Sequence, residues 1–407
     1  MTQRSYTHLI LILGSLTALG PFSIDMYLPG FIAIAKDLNT SVSQVSLSLS
    51  SYFIGISAGQ LLYGPLLDKY GRKKPLYIGL ALYILASLGC LLIHKIEALI
   101  ILRFIQAIGS CAAAVASIAM VRDLFPVKDN AKVFALLMLV LGVSPMLAPT
   151  AGGYLTAAFG WQSIFIALTI MGAMILLASY LWLPESYEPD RSISLKPKPI
   201  ISNFWNVLRE PQFYTYALTG AVSFSGLFAY VAGSPVVFMG IYGLSDKAYG
   251  GIFALLSIGL IGSSNLNSLL LKKYKSEQVV LVAVITQTFI AFAFLFASMN
   301  ALLDMTGTIV MLFLFLSCLG FANPNASALS LAPFSKNAGS ASSLMGALTM
   351  GLGALASVAV SIFDTQSAIP MVAIMAGSSV IALGILLTGR KNITNYSTGE
   401  EKPVIIH

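Results

Sequence analysis

Twelve long apolar runs, near 7–30, 43–66, 75–94, 97–120, 132–157, 162–183, 212–240, 247–271, 277–298, 305–327, 337–362 and 368–389, leave this chain little choice of solvent. Each approaches or exceeds the roughly 20 residues that a helix rising 1.5 Å per residue needs to cross about 30 Å of hydrocarbon. Lipid offers backbone amides no partner, so runs of this length must satisfy their own hydrogen bonds as helices. The expectation is an all-α membrane protein. With 57% hydrophobic residues, 10% charged residues and a mean hydropathy of +0.85, a water-soluble fold has nowhere to hide the apolar surface. The 407 residues leave room for spans and short loops but for no large extramembrane domain.

Charge sets the orientation. In a soluble protein a formal charge of +7 would suggest nucleic acid, but here the basic residues sit in short loops, so nucleic acid is disfavoured. Nineteen of the 23, among them Lys69, Arg72, Lys73, Lys74, Arg122, Arg209, Lys272, Lys273, Lys275 and Arg390, fall on one side. Lys36, Lys95 and Lys247 fall on the other, and Arg103 lies inside a span. The positive-inside rule then makes the basic side cytoplasmic, with both termini there and the chain multi-pass in an inner membrane. The first run is too long for a cleavable signal and reads as a retained span.

The polar break at 186–211, rich in proline, divides the spans six and six. It reads as a cytoplasmic linker between helical bundles at 1–185 and 212–390, with a cytoplasmic tail at 391–407. Such a split suggests pseudo-symmetric bundles around a central path, with alternating access by rocking. Cys90, Cys111 and Cys318 lie singly in apolar runs and suit packing better than a disulfide or zinc site. His8, His94 and His407 are scattered, and no nucleophile, metal or phosphate constellation stands out, so the reading is of a transporter rather than an enzyme.

Four stretches carry more information. After the second run comes Gly64-Pro65-Leu66-Leu67-Asp68-Lys69-Tyr70-Gly71-Arg72-Lys73-Lys74. Here Gly64 permits close helix approach, Gly71 a tight turn, and Asp68 and Arg72 a charge-assisted contact that can break and re-form. The fourth run holds Arg103, Gln106 and Gly109; a charge inside a span costs about 2.5–3.5 kcal/mol even on the lenient insertion scale and demands a cavity or partner. The fifth holds Gly142, Pro145, Pro149, Gly152 and Gly153, a sequence expected to bend and to pack tightly across the interface between the halves. The first holds Gly20-Pro21-Phe22-Ser23-Ile24-Asp25-Met26-Tyr27-Leu28-Pro29.

Together these resemble the major facilitator superfamily, and the first-run motif, with Gly160-Trp161-Gln162 and Leu183-Pro184-Glu185-Ser186, resembles its Bcr/CflA drug–proton antiporters. The resemblance implies twelve transmembrane helices in two six-helix bundles and a monomer. It makes Gly64, Asp68, Gly71, Arg72 and Asp123 a conformational latch, links Arg103 and Gln106 with proton transfer, and marks the fifth-run residues as an antiporter motif in which Ala148 replaces a glycine. Its motifs concentrate in the first half; Leu271-Lys272-Lys273-Tyr274-Lys275 lacks the acid and the Gly-Arg of the loop.

Asp25 is an acid well within an apolar run, at a depth similar to that of Arg103 on an oppositely directed helix, so the two can approach. Asp25 binding either a proton or cargo, with Arg103 and Gln106 shaping its affinity, would give antiport with the proton as coupling ion and no further cofactor or metal. Phe22, Tyr27, Tyr52, Phe224, Phe228, Tyr230, Asn265 and Asn323, with Asn267 and Asn325, are candidates to line the path of a small amphipathic solute. The alternative on the same scaffold is export of a physiological metabolite, amino acid or siderophore.

Overall fold

Backbone hydrogen bonding closed within each span gives an almost wholly helical chain. The structure, a computed structural model, describes residues 3–125, 127–190, 195, 197–334, 338–363 and 367–393. The helices are α1 (Gln3–Asp25), α2 (Phe31–Asp37), α3 (Val42–Tyr70), α4 (Lys73–Gly89), α5 (Ile96–Leu124), α6 (Val127–Phe159), α7 (Gln162–Trp182) and α8 (Pro197–Leu208). There follow α9 (Pro211–Pro235), α10 (Asp246–Leu270), α11 (Ser276–Met299), α12 (Met305–Leu331), α13 (Ala338–Ile362) and α14 (Ile369–Gly389). Among the described residues eleven segments are long and apolar enough to cross a membrane. The twelfth expected run, 75–94, is the short one: α4 has 17 residues, about 25 Å of helix, before the chain turns after Gly89. It is held between α5 and α7 in the same bundle.

The helices sort into two sets. In the first, α5 packs on α1, α3 and α4, and α7 packs on α1 and α4. In the second, α12 packs on α9, α10 and α11, and α14 packs on α9 and α11. Two seams join the sets, α3 with α13 and α6 with α10. Hydroxyl groups stitch the first seam along its length: Ser50 and Ser357 share a hydrogen bond of 2.6 Å, Ser57 donates to the Ala347 carbonyl at 2.8 Å, and Ser343 donates to the Gln60 carbonyl.

Two departures from the sequence reading matter for function. The first run, expected as one span, breaks after Asp25, passes through a 3-10 turn at Leu28–Gly30 and resumes as α2. Pro21 removes one amide from the last turns of α1, and Pro29 begins the 3-10 turn. Its counterpart α9 also loosens, widening into a π-helical stretch at Val236–Ile241 after Pro235. The Ser234 hydroxyl donates to the Val231 carbonyl, the acceptor that Pro235 leaves without its amide. The second departure is the linker, which carries α8. Val207 is buried with Phe213, Ala217 and Ala341, docking the helix on α9 and α13. Ile200, Phe204, Val207 and Leu208 recur at helical spacing, which the prolines and charges around them obscured. Residues 394–407, most of the expected tail, lie outside the described residues.

Candidate functional site

Arg103 lies fully buried on α5. One helical turn on, Gln106 shares its face, and its Oε1 accepts from Arg103 Nη1 at 2.6 Å. Arg103 Nη2 donates to the carbonyl of Ser23 on α1 at 2.9 Å, and Gln106 Nε2 donates to Ser87 Oγ on α4 at 2.7 Å. The guanidinium is capped by the rings of Tyr52 and Tyr27, at 4.2 and 4.6 Å from their centroids. Those rings are fixed in turn: Tyr27 shares a hydrogen bond with Ser48 and Tyr52 shares one with Ser110. A desolvated cation–π contact is worth about 2 kcal/mol, so two rings and a carbonyl compensate much of the charge with no counter-ion among the described residues.

Arg103 therefore neither snorkels to an interface nor pairs with Asp25. Ser23 and Asp25 are two residues apart on α1, and their side chains point in directions about 200° apart. Arg103 takes the Ser23 side, where Tyr83 also bonds the Ser23 hydroxyl at 2.7 Å. Asp25 closes α1 from another face, 7% exposed and with no hydrogen bond or ion pair to a described residue.

What lies beside Asp25 is the junction between the halves. The carbonyl of Met26 presses on Gly152 of α6, where any Cβ would collide. A Cβ at Gly153 would stand 2.5 Å from the Asp246 carbonyl at the start of α10, and one at Gly250 would stand 2.8 Å from the Pro149 carbonyl. One α6 turn series thus touches the turn after α1 with Gly152 and the other half with Gly153, Pro149 and, farther along, Gly142 against Ile261. Pro145 and Pro149 both fall within this continuous helix. This is the glycine close-approach device of membrane helix pairs.

At the opposite, basic face Arg72 gathers the acids. Its Nη1 donates to Asp68 at 2.6 Å and its Nε donates to Asp123 at 2.8 Å. Burial opposes the Arg72 charge, but the hydrogen bonds and charges of Asp123 and Asp68 outweigh it and hold its pKa above the ordinary value. Gly71 adopts φ +83°, which turns the chain so that the amides of Arg72 and Lys73 both donate to the Glu185 carboxylate. Ser186 donates to Asp123 at 3.0 Å, and the Tyr187 ring lies 4.3 Å from the Arg72 guanidinium. Gly64 corrects an expectation. A Cβ there would meet nothing within 4 Å, because the residue borders a cavity instead of a neighbouring helix. That cavity, about 500 Å³, lies between the halves and is lined in part by Gln60, Asp68, Arg122, Asn203, Phe204 and Ser343.

The path candidates separate. Tyr27 and Tyr52 are sealed over Arg103, away from open space. Phe228 meets Phe224 edge-on at 5.7 Å and, across the halves, Phe53 of α3 at 4.5 Å; Phe22 is half-buried. Tyr230 stacks on Phe253 at 5.4 Å. Asn265 is exposed and folds onto its own helix, donating to Ile261, while Asn323 is half-buried. Asn325 donates to Asn267 at 2.8 Å and ties α12 to α10. Sequence reasoning overlooked Tyr83, Ser87, Phe53 and Tyr187, ordinary residues in apolar or linker surroundings, and had Ser23 only as part of a motif. Glu185 and Ser186 were visible only as part of a motif.

Comparison with known proteins adds a family. The model described as Major Facilitator Superfamily matches residues 13–358. The chain is 36% identical over 382 residues to "Uncharacterized MFS-type transporter YdgK" of Bacillus subtilis (strain 168), covering 93% of this chain and 94% of the relative. It is 33% identical over 385 residues to "Bicyclomycin resistance protein homolog" of Haemophilus influenzae, covering 94% and 96%. Among solved structures, a bacterial homologue of the human lysosomal transporter Spinster, inward-facing and occupied, superposes with a TM-score of 0.74 at 13% identity, covering 99% of this chain and all of that one.

Proposed function

The chain belongs to the Major Facilitator Superfamily, and from that premise we propose that it exports small amphipathic molecules, antibiotics among them, in exchange for protons. The observation that carries this reading is Asp25, a carboxyl buried inside an apolar span at the break of α1, one residue from the Met26–Gly152 contact. A carboxyl there is costly to leave ionised without a partner, and the 3-10 turn that follows it packs on α9 and α10, so its state bears on how the halves meet. The bicyclomycin-resistance name of one relative supports the cargo class.

In this reading the basic face is cytoplasmic, with both termini there, in a bacterial inner membrane. The protein works as a monomer of two bundles, 1–185 and 212–390, joined by the linker 186–211. Cargo enters from the cavity beside Arg72 and Asp68 while α6 and α10 close the other side. Rocking opens that side, Asp25 takes a proton, and cargo leaves. Arg103 and Gln106 hold α1 through the Ser23 carbonyl and so set the position of the carboxyl. The Arg72–Asp68–Asp123 group acts as a latch within the first half. One proton moving through 100 mV yields about 2.3 kcal/mol, enough for a cargo gradient of about 50-fold.

The test uses inverted, acid-loaded vesicles. Adding bicyclomycin or another amphipathic drug is expected to release protons through the wild type, and Asp25→Asn is expected to lose the release while still folding. Uphill export by Asp25→Asn at the normal rate would remove Asp25 from the mechanism. Silence of both proteins toward every drug would turn the cargo to a metabolite.

A further inference from the structure

Two polar groups are buried near the closed junction, one in each half, and neither has a hydrogen-bond partner among the described residues: the carboxyl of Asp25 and the hydroxyl of Tyr230. The 3-10 turn that follows Asp25 packs on both α9 and α10, the helices that carry Tyr230 and Tyr249. Tyr230 and Tyr249 share one buried cluster with Met26 and Tyr27, the residues that follow Asp25. They differ in one respect. Tyr249 is already bonded to Ser234 at 2.7 Å, whereas Tyr230 is pinned by stacking on Phe253 with its hydroxyl unused. A buried donor left unmade is expensive, and its survival asks for a role in another arrangement of the halves.

The other ionisable neighbours are engaged elsewhere. Arg103 and Tyr83 hold Ser23, Tyr27 holds Ser48, and Tyr52 holds Ser110. Lys247 lies over the Tyr154 ring, with Asp246, on the far side of Gly153. On α7, Tyr180 lies against Tyr77 near the basic face.

We propose that Tyr230 is the donor through which the second half reads the charge on Asp25: its hydroxyl bonds the ionised carboxylate, directly or through one water, and is released when the carboxyl takes a proton. Sequence alone put Tyr230 among the residues lining the cargo path; this assignment makes it a positioning residue for proton coupling. It rests on the proton-coupled reading of Asp25. An ionised carboxyl in the interior needs donors and a protonated one does not, so protonation and the approach of the halves become a single equilibrium.

The experiment needs no cargo. Spin labels on Lys95→Cys and Leu302→Cys, in the α4–α5 and α11–α12 loops, report the separation of the halves in lipid nanodiscs from pH 5 to 9. The native cysteines are buried and do not compete for label. The parent should change separation with a definite midpoint, and Asp25→Asn should abolish the change. Tyr230→Phe, which keeps the stacked ring, should raise the midpoint by about one pH unit, the size expected of one lost hydrogen bond to a charged group. Tyr249→Phe should move it by less than about 0.3 unit. If Tyr230→Phe does not fold, trifluorotyrosine at position 230, a stronger donor of the same shape, should lower the midpoint. An unmoved midpoint in the folded Tyr230 variant, where Asp25→Asn has lost its response, overturns the role of Tyr230 alone. A pH-independent parent, or a response that survives Asp25→Asn, overturns this inference and the proton-coupled reading with it.

Discussion

The two halves solve the same packing problem with different chemistry. In the first, the buried polar centre is a cation: Arg103 with Gln106 binds α5 to α1 and α4 through Ser23 and Ser87. In the second, the ties are neutral. Ser223 of α9 donates to Gln287 of α11 at 2.6 Å, and Asn325 of α12 donates to Asn267 of α10. The basic-face loops repeat the contrast. Arg72 holds two carboxylates, whereas the corresponding loop after α10 presents Lys272, Lys273 and Lys275 with no salt bridge among the described residues. Neutral amide pairs stabilise membrane bundles modestly and do not respond to pH or potential. A buried cation held by rings and carbonyls keeps its charge and feels every change nearby. The first half therefore carries a charged polar centre and the second only neutral ties.

Substitutions at matched places break or sharpen that contrast. The largest effect should come from the seam: Gly153→Ile leaves no room for the Asp246 carbonyl of the other half and should lower drug-driven proton release at least 100-fold, whereas Gly64→Ala, facing a cavity, should stay within about twofold. Next, Arg103→Lys removes the planar fork that reaches Gln106 and Ser23 together and should cost about 10- to 100-fold in transport. Its second-half counterpart, Gln287→Met, should keep transport within about threefold; an equal loss would erase the distinction between the halves. Smaller still, Arg72→Gln strands Asp123 and Asp68 and should lower thermal stability by about 1–2 kcal/mol, discounted because Asp68 is half exposed, while Lys272→Gln should change it by less than about 0.5 kcal/mol. Last, Asn325→Ala should lower stability by about 0.6–1 kcal/mol, read as a shifted melting curve, with transport unchanged.

Much of this was legible from residues alone, and what escaped has physical reasons. The α6 motif was expected to pack across the halves, and Gly153 does meet the start of α10 while Gly152 meets the turn after α1. Gly71 was expected to turn, and it does. The Arg103–Asp25 approach failed because depth in the membrane fixes height but not rotation about the helix axis, and two residues of rotation separate Ser23 from Asp25. Gly64 resembled Gly152 in kind, but whether a neighbour fills the space beside a glycine is a property of the other helix. The linker helix α8 was hidden by prolines at its start, although its apolar spacing was present.

The sequence by itself determined the solvent, the helical spans, the gathering of the basic loops on one face and the residue types whose burial had to be compensated. Those follow from length, hydrophobicity and the cost of charge, which are properties of one segment at a time. Only the tertiary structure decided partners: that tyrosine rings and a carbonyl, not a carboxylate, hold Arg103; that Glu185 returns to cap α4; and that the turn after Asp25 packs on α9 and α10 of the other half. A span that is apolar on all sides carries no stripe to say which face turns inward, so its orientation is set by the shapes of its neighbours.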